Sequence, residues 1–391
     1  MCTKRDQQGG NPDQCGPLDL AEPYQWWRSS ATTEEMAAMK VRSVSDVAAL
    51  NPRLRVMREL ERLAMVAQEG LDDLRHRLVA YRAGDLWMPT GGLAREEMAV
   101  PPVVTILLVG VAGGGKSSLV NLMYSVLGRA GIIPFAQTSG STSKSEATTM
   151  FLEEHNVLRS KRSGFCVYDS RGFESDDLRG GDRSLVELSK WMVDGVHHHQ
   201  PCSRRGDDLD CQMMMMTMRG CSQSNKFVKR QVNCAIVVAN MAEIYAGLKD
   251  GDSKPLEATK QVFCFLALKK CNQNPILILT HGDKLSADNR IDARIKICKF
   301  LGISETSGVY DIVCLSEHGV VAEECDPVTA YALTEAVYRA LLTSDMNYLP
   351  KQSNKDRAML VLSWLLSFLA ASFACLARVF SGLNQKHYNR L

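Results

Sequence analysis

Apolar residues fall along this chain in two rhythms. Short unbroken runs rich in β-branched side chains predict buried strands at Val103–Val109 (VVTILLV), Phe165–Tyr168 (FCVY), Val232–Ala239 (VNCAIVVA), Ile276–Leu279 (ILIL) and Ile312–Leu315 (IVCL). A further strand is expected at Thr149–Asn156. Between these runs, apolar positions recur at threes and fours and predict helices at Ser184–Val193, Leu256–Leu268, Ala287–Leu301 and Val328–Leu342. After the first strand, Leu119, Leu122, Met123, Val126 and Leu127 predict another helix, with Gly128 where it would stop. Strands that alternate with helices imply an α/β fold with a mostly parallel sheet covered on both faces.

The flanks follow other patterns. Residues 1–33 are polar and aperiodic, so disorder is expected there, with Trp26 and Trp27 docking on the globular part as the exception. Residues 34–100 read as a helical region and linker. Asn51-Pro52 supplies an N-cap and first-turn pair. Leu60, Leu63, Ala67, Leu71, Leu74, Leu78 and Tyr81 follow at helical spacing, with Gly70 expected to interrupt or kink the run. A helical hairpin packed on the next domain is favoured over an intermolecular coiled coil, for which the run is short. Residues 101–345 hold the strand–helix alternation, and 346–357 form a polar linker. Residues 358–378 carry the apolar stretch AMLVLSWLLSFLAASFACLA, uncharged until Arg378, with Lys355 and Arg357 before it. At about 1.5 Å per residue it is long enough for a hydrocarbon core of about 30 Å. A C-terminal transmembrane helix is therefore expected, with Trp364 as an interfacial anchor and a short tail at 379–391. A buried core helix or a membrane-surface helix is the alternative, and the stretch has no polar face to favour the surface.

Composition changes this picture little. The 391 residues are 45% hydrophobic and 23% charged, as in ordinary globular chains, and a net charge of +2 offers no electrostatic case for nucleic acid. Thirteen cysteines without a C-x-x-C pair read as reduced thiols. A metal is conceivable in the insert that holds His197, His198, His199, Cys202, Cys211, Met213–Met216 and Cys221, but the spacing fits no recurrent finger. A long loop with a Met-rich turn is the preferred reading.

The chemistry lies at the strand ends. Gly110–Ser117 reads GVAGGGKS, the G-x-x-x-x-G-K-[ST] pattern, between a buried strand and a helix. Gly110, Gly113, Gly114 and Gly115 would let backbone N–H groups surround a β-phosphate, and the helix N-terminus at Ser117 and Ser118 adds its positive end. Lys116 would reach the β- and γ-phosphates, and the Ser117 hydroxyl would ligate Mg²⁺. Asp169-Ser170-Arg171-Gly172 is a D-x-x-G at the end of the FCVY strand: Asp169 would hold Mg²⁺ through a water, and the Gly172 N–H would sense a γ-phosphate. The Ser/Thr-rich loop Thr138–Thr149 lies where a closing switch belongs, with Thr149 preferred to Thr148 as the hydroxyl on Mg²⁺. The ILIL strand runs into Thr280-His281-Gly282-Asp283, the shape of a guanine-reading loop in which Asp283 accepts from the base, and the last strand runs into Ser316-Glu317-His318.

The ordered set GVAGGGKS, DSRG, THGD and SEH resembles the TRAFAC class of P-loop GTPases, and most nearly the septin-related branch with the immunity-associated and chloroplast-import-receptor GTPases. The likeness covers residues 100–345. It implies a P-loop NTPase G domain that binds GTP or GDP with Mg²⁺, with Thr280, His281, Asp283 and Ser316 about the base. It further implies a switch that often self-associates through the G domain at a membrane. Two departures bear on function. Thr280-His281 stands in place of the usual Asn-Lys, and Phe173 stands where many small GTPases carry a water-orienting Gln. Hydrolysis should then be slow in the monomer, with Arg171, read as solvent- or dimer-facing, completing the site on association. With the tail anchor, the expectation is a membrane-anchored GTP-binding protein on the cytosolic face of an organelle. The alternatives are a non-hydrolysing nucleotide-bound scaffold and an ATP-using P-loop enzyme.

Overall fold

The computed structural model describes residues 23–39, 50–89, 94–128, 135–136, 149–174, 178, 183–202, 228–271, 274–313, 326–351 and most of 359–377. Its centre is a seven-stranded sheet in the order β4-β2-β3-β1-β5-β6-β7. The strands are β1 (Val104–Val109), β2 (Phe151–His155), β3 (Phe165–Asp169), β4 (Gln200–Pro201), β5 (Cys234–Asn240), β6 (Ile276–Thr280) and β7 (Val309–Asp311). From β3 through β7 every pairing is parallel, while β2 runs antiparallel to both β3 and β4. Every residue of β1, β3 and β6 is buried, so the unbroken apolar runs are the signature of strands covered on both faces. After β1 the chain crosses to β3 on one side and to β5 on the other. Ligands of open α/β sheets bind in the crevice such a reversal leaves at the carboxyl ends of the strands.

The helices are α1 (Thr33–Met39), α2 (Pro52–Ala80), α3 (Lys116–Val126), α4 (Arg183–Asp194), α5 (Met241–Asp250), α6 (Lys254–Phe263), α7 (Leu266–Cys271), α8 (Ala287–Leu301) and α9 (Pro327–Met346). Asn51 caps α2 as its side chain accepts from the Leu54 N–H at 2.8 Å, with Pro52 in the first turn. The helix runs unbroken through Gly70, contrary to the expected kink. Glycine stands there because α9 comes close: a Cβ would lie 3.0 Å from Tyr331. At the exit of α2, the Asp345 carboxylate of α9 accepts from the Tyr81 hydroxyl (2.8 Å), the Gly84 N–H (3.0 Å) and the Leu86 N–H (2.9 Å), and is wholly buried. Residues up to Trp87 thus belong to the same compact unit as Pro101–Asn347.

Three other expectations shift. The segment Pro23–Ser30 is helical, and Trp27 within it is fully buried, so order begins earlier than expected. The single helix foreseen at 256–268 is two, α6 and α7, separated by a turn at Cys264 and Phe265. The last strand lies earlier than the IVCL run: β7 is Val309–Asp311, and residues 314–325 lie outside the described residues.

A second unit comprises Met88–Val100 and Tyr348–Leu391. Within it Met98 bridges Pro350, the Ala99 N–H donates to the Leu349 carbonyl at 2.9 Å, and Lys351 Nζ donates to the Glu96 carbonyl at 2.8 Å. The transmembrane helix expected at 358–378 is not found: among the described residues no helix is long and apolar enough to cross a membrane. The continuous helical stretch there is 361–375.

Candidate functional site: a phosphate loop with its metal and base neighbours

The loop after β1 turns into α3 at Gly115, whose φ of 86° is costly for any residue with a Cβ. Lys116 opens the helix and folds back over the loop, its Nζ donating to the Val111 carbonyl at 3.2 Å and, more loosely, to Gly110 at 3.4 Å. Burial pulls its amine down to about 8, against the opposing pull of the Asp169 charge. The Ser117 hydroxyl donates to Asp169 Oδ2 at 2.6 Å and lies 3.3 Å from the Thr149 hydroxyl. Ser118 follows in the first turn of α3.

Asp169 ends β3, nearly enclosed. Burial pushes its carboxyl up from the ordinary range, and the Ser117 hydroxyl and Lys116 hold it down. Its Oδ1 is buried without a hydrogen-bond partner among the described residues. A carboxylate with one orphaned oxygen, joined through the Ser117 hydroxyl to that of Thr149, is a hard-oxygen set of the kind Mg²⁺ takes, with water filling its remaining positions. Ser117, Thr149 and Asp169 therefore fit the ion. Thr148 and the rest of the expected switch loop, residues 138–148, lie outside the described residues.

The D-x-x-G turn is fastened to the phosphate loop. A Cβ on Gly172 would lie 2.3 Å from Ala112 Cα and 2.9 Å from Lys116 Nζ, so only glycine allows this approach. The Phe173 N–H donates to the Gly110 carbonyl at 3.0 Å, and the Ala112 N–H returns the bond to the Phe173 carbonyl at 2.8 Å. Sequence reasoning missed this clasp, which makes Phe173 a partner strand for Val111. Phe173 also stacks on Trp191 of α4, with centroids 6.3 Å apart. Ser170, likewise unforeseen, donates to the Leu108 carbonyl at 2.6 Å and anchors the turn to β1. The Arg171 side chain does not stand free in solvent: it is 11% exposed and pairs with Glu174 at 3.1 Å. Local spacing carried no signal for that, since an arginine and a glutamate three apart fit many exposed turns.

At the end of β6, the Thr280 hydroxyl donates to the Gly114 carbonyl at 2.8 Å, with Ala239 O at 3.2 Å and His281 Nδ1 at 2.9 Å also around it. This loop therefore braces the phosphate loop. His281 takes a left-handed φ of 59°, and burial, with help from Lys284, lowers its imidazole below the ordinary range. The turn Gly282–Lys284 then carries Asp283 exposed, free to accept from a ligand. Ser316, with Glu317 and His318, lies outside the described residues.

No family model and no curated protein matches the sequence. Among solved structures the chain is similar to a "probable GTP-binding protein engB", at 12% identity and a TM-score of 0.30, over 61% of this chain and 98% of that one. It is also similar to a chain of the signal recognition particle receptor SRb-GTP/SRX complex from Chaetomium thermophilum, at 15% identity and a TM-score of 0.29, over 57% and 96%. The α/β assignment here rests on the strand order and the loops themselves.

Among the described residues no group of three His, Cys, Asp or Glu side chains could hold an ion, and Cys211, Met213–Met216 and Cys221 of the insert lie outside them. His198 instead accepts from the Glu154 N–H at 3.0 Å through Nδ1, and residues 203–227 lie outside the described residues.

Proposed function

We propose that the chain binds a guanine nucleotide with Mg²⁺ and works as a slowly hydrolysing switch held at a membrane by its C-terminal helix. The observation that carries the reading is the row beside Lys116: the Thr149 hydroxyl at that of Ser117, which donates to an Asp169 carboxylate with one buried, unpartnered oxygen. Lys116 and the loop N–H groups would bind the phosphates. Mg²⁺ would supply a bridge between phosphate oxygens and neutralise their charge. Asp283 would accept from the N1–H and exocyclic amine of guanine, for which adenine has no matching donors. Phe173 can neither donate to nor accept from an attacking water, and its ring is packed on Trp191, which supports slow turnover.

The membrane part of the reading is supported by the helical residues 361–375. Val361, Leu362, Trp364, Leu365, Leu366, Phe368, Leu369 and Phe373 are all exposed along one broad side of the helix, with Ser363, Ser367, Ala370, Ala371 and Ala374 on the other. Ser367 and Ser372 donate their hydroxyls to carbonyls one turn back, at 2.9 and 2.8 Å, so they can enter hydrocarbon without a lone donor.

The test is equilibrium binding of labelled GDP and GTP to the full chain with and without Mg²⁺, with ATP as competitor. Tight binding that GDP displaces and ATP does not supports the reading. ATP competing equally would favour the ATP-using alternative. Binding without turnover, even at high protein concentration, would favour the scaffold.

A further inference from the structure

Behind the base-reading turn lies a buried ion pair that nucleotide binding as described does not use. Arg290 of α8 meets Asp311 of β7 through two hydrogen bonds, Nε to Oδ2 at 2.6 Å and Nη2 to Oδ1 at 2.8 Å. Their side chains are 7% and 2% exposed. The pair presses on the backbone of Gly282, where a Cβ would lie 2.5 Å from Arg290 Nε and 2.8 Å from Asp311 Oδ1. Gly282 directly precedes Asp283, so the planar, doubly bonded pair forms the floor of that turn.

A second contact reaches the same guanidinium from the other end of the sequence. The Trp26 ring lies 3.9 Å from Arg290 Cζ, the distance of a cation–π contact. Trp26 belongs to the segment Pro23–Ser30, which is docked by bonds of its own. Trp27 Nε1 and Arg28 Nε both donate to Glu61 Oε2 of α2, at 3.2 and 3.1 Å. Arg53 joins the Ser30 carbonyl (2.8 Å) to Asp288 (2.8 Å) in the first turn of α8. Asp326, the N-cap of α9, also lies within the field of Arg290.

We infer that the stack Trp26–Arg290–Asp311 is the positioning unit of Asp283, so that docking of the N-terminal segment sets how well the site reads its base. The inference rests on the guanine-nucleotide reading above. Asp283 is exposed and lies on a three-residue turn, so its placement depends on what supports the turn from beneath. The phosphate and metal groups, Lys116, Ser117 and Asp169, make no described contact with the stack. A disturbance of the stack should therefore reach the base half of the ligand and spare the phosphate half.

Inosine diphosphate shares the phosphate half and lacks only the exocyclic amine, so it offers Asp283 one donor fewer than GDP and the GDP-to-IDP ratio reports how Asp283 is placed. Affinities of the full-length chain for GDP and IDP are measured in the wild type, Trp26→Ala and Arg290→Lys, the last keeping the charge but losing the two-pronged geometry. The expected result is a wild-type preference for GDP that drops about fivefold or more in both variants, with IDP weakened less than GDP because it has only the N1–H to lose. An unchanged GDP-to-IDP ratio, or equal loss of both ligands alongside a lower melting temperature, would mean a merely structural role and overturn the inference. Coupling is reciprocal, so GDP should slow amide exchange at residues 23–30 of the unmodified chain more than IDP does. Equal protection by the two ligands would also overturn it. A wild-type chain that binds neither nucleotide sinks the guanine-nucleotide reading first, and this inference with it.

Discussion

Lys116 and Asp169 are opposite charges buried on the same side of one loop, and burial moves each toward its neutral form. A bound phosphate would reverse the shift on the lysine. With the free amine at about 8, nucleotide binding should be insensitive to this group below that pH. Above it, affinity should weaken by up to about tenfold per pH unit, because the complex must take up the proton the free protein has lost. Calorimetry at about pH 8.5 in buffers of different ionisation enthalpy should show that uptake in the wild type and none in Lys116→Ala. The same variant should bind nucleotide at least about tenfold more weakly, about 1.4 kcal/mol. Equal affinity in a folded Lys116→Ala chain would remove the phosphate loop from the reading. At the other end of the ligand, Asp283→Asn should lose about 1.5–3 kcal/mol of GTP affinity, since a charged acceptor is gone. It should gain xanthine nucleotide, whose C2 carbonyl matches the new amide donor. A competition assay with GTP and XTP decides it.

Elements carry the next level of evidence, and α2 is the one whose role was least visible in the pattern. Its apolar stripe is plain, yet periodicity does not say whether the face meets another copy or the same chain. The structure seats it on α9 through Asp345 and the Gly70–Tyr331 approach, both formed with residues more than two hundred positions away. Leu78 is wholly buried in that seat, so Leu78→Ala should cost about 2–5 kcal/mol. A lower urea midpoint with unchanged slope, together with weakened nucleotide binding, is the expected record. Strands β1, β3, β5 and β6 are legible because a parallel strand covered on both faces must be continuously apolar. By the same logic β7 is misplaced: its Asp311 looks like a strand end until its partner Arg290 is known. The glycine loop and Asp169 are readable as a candidate site from motif spacing, and Thr149 only from its place just before β2. The Phe173 clasp and the enclosure of Arg171 arise from packing on Val111, Trp191 and Glu174, which no short pattern encodes.

For the whole molecule, the decisive surface is that of residues 361–375. An exposed helix bearing Trp364, Phe368 and Phe373 together with five aliphatic side chains is too apolar to be left in water, because patches of that kind mark contact with protein or lipid. A protein partner would ordinarily take one face of a helix and leave a polar strip opposite. Here the opposite face holds Ser363 and Ser367 among alanines and no charge, and Ser367 and Ser372 satisfy their hydroxyls within the helix, so that face too can meet lipid. Deletion after Asn354 should accordingly release a chain that stays soluble and still binds nucleotide with wild-type affinity. Leu366→Arg in the full chain should weaken insertion by about 2.5–3.5 kcal/mol, the cost of a charge at the centre of a membrane helix. Fractionation with alkaline wash reads both variants. If the truncated chain remains in the pellet, attachment resides elsewhere. If the full-length wild type washes off, the helix is a surface or protein-docking element, and the switch must be sought in solution.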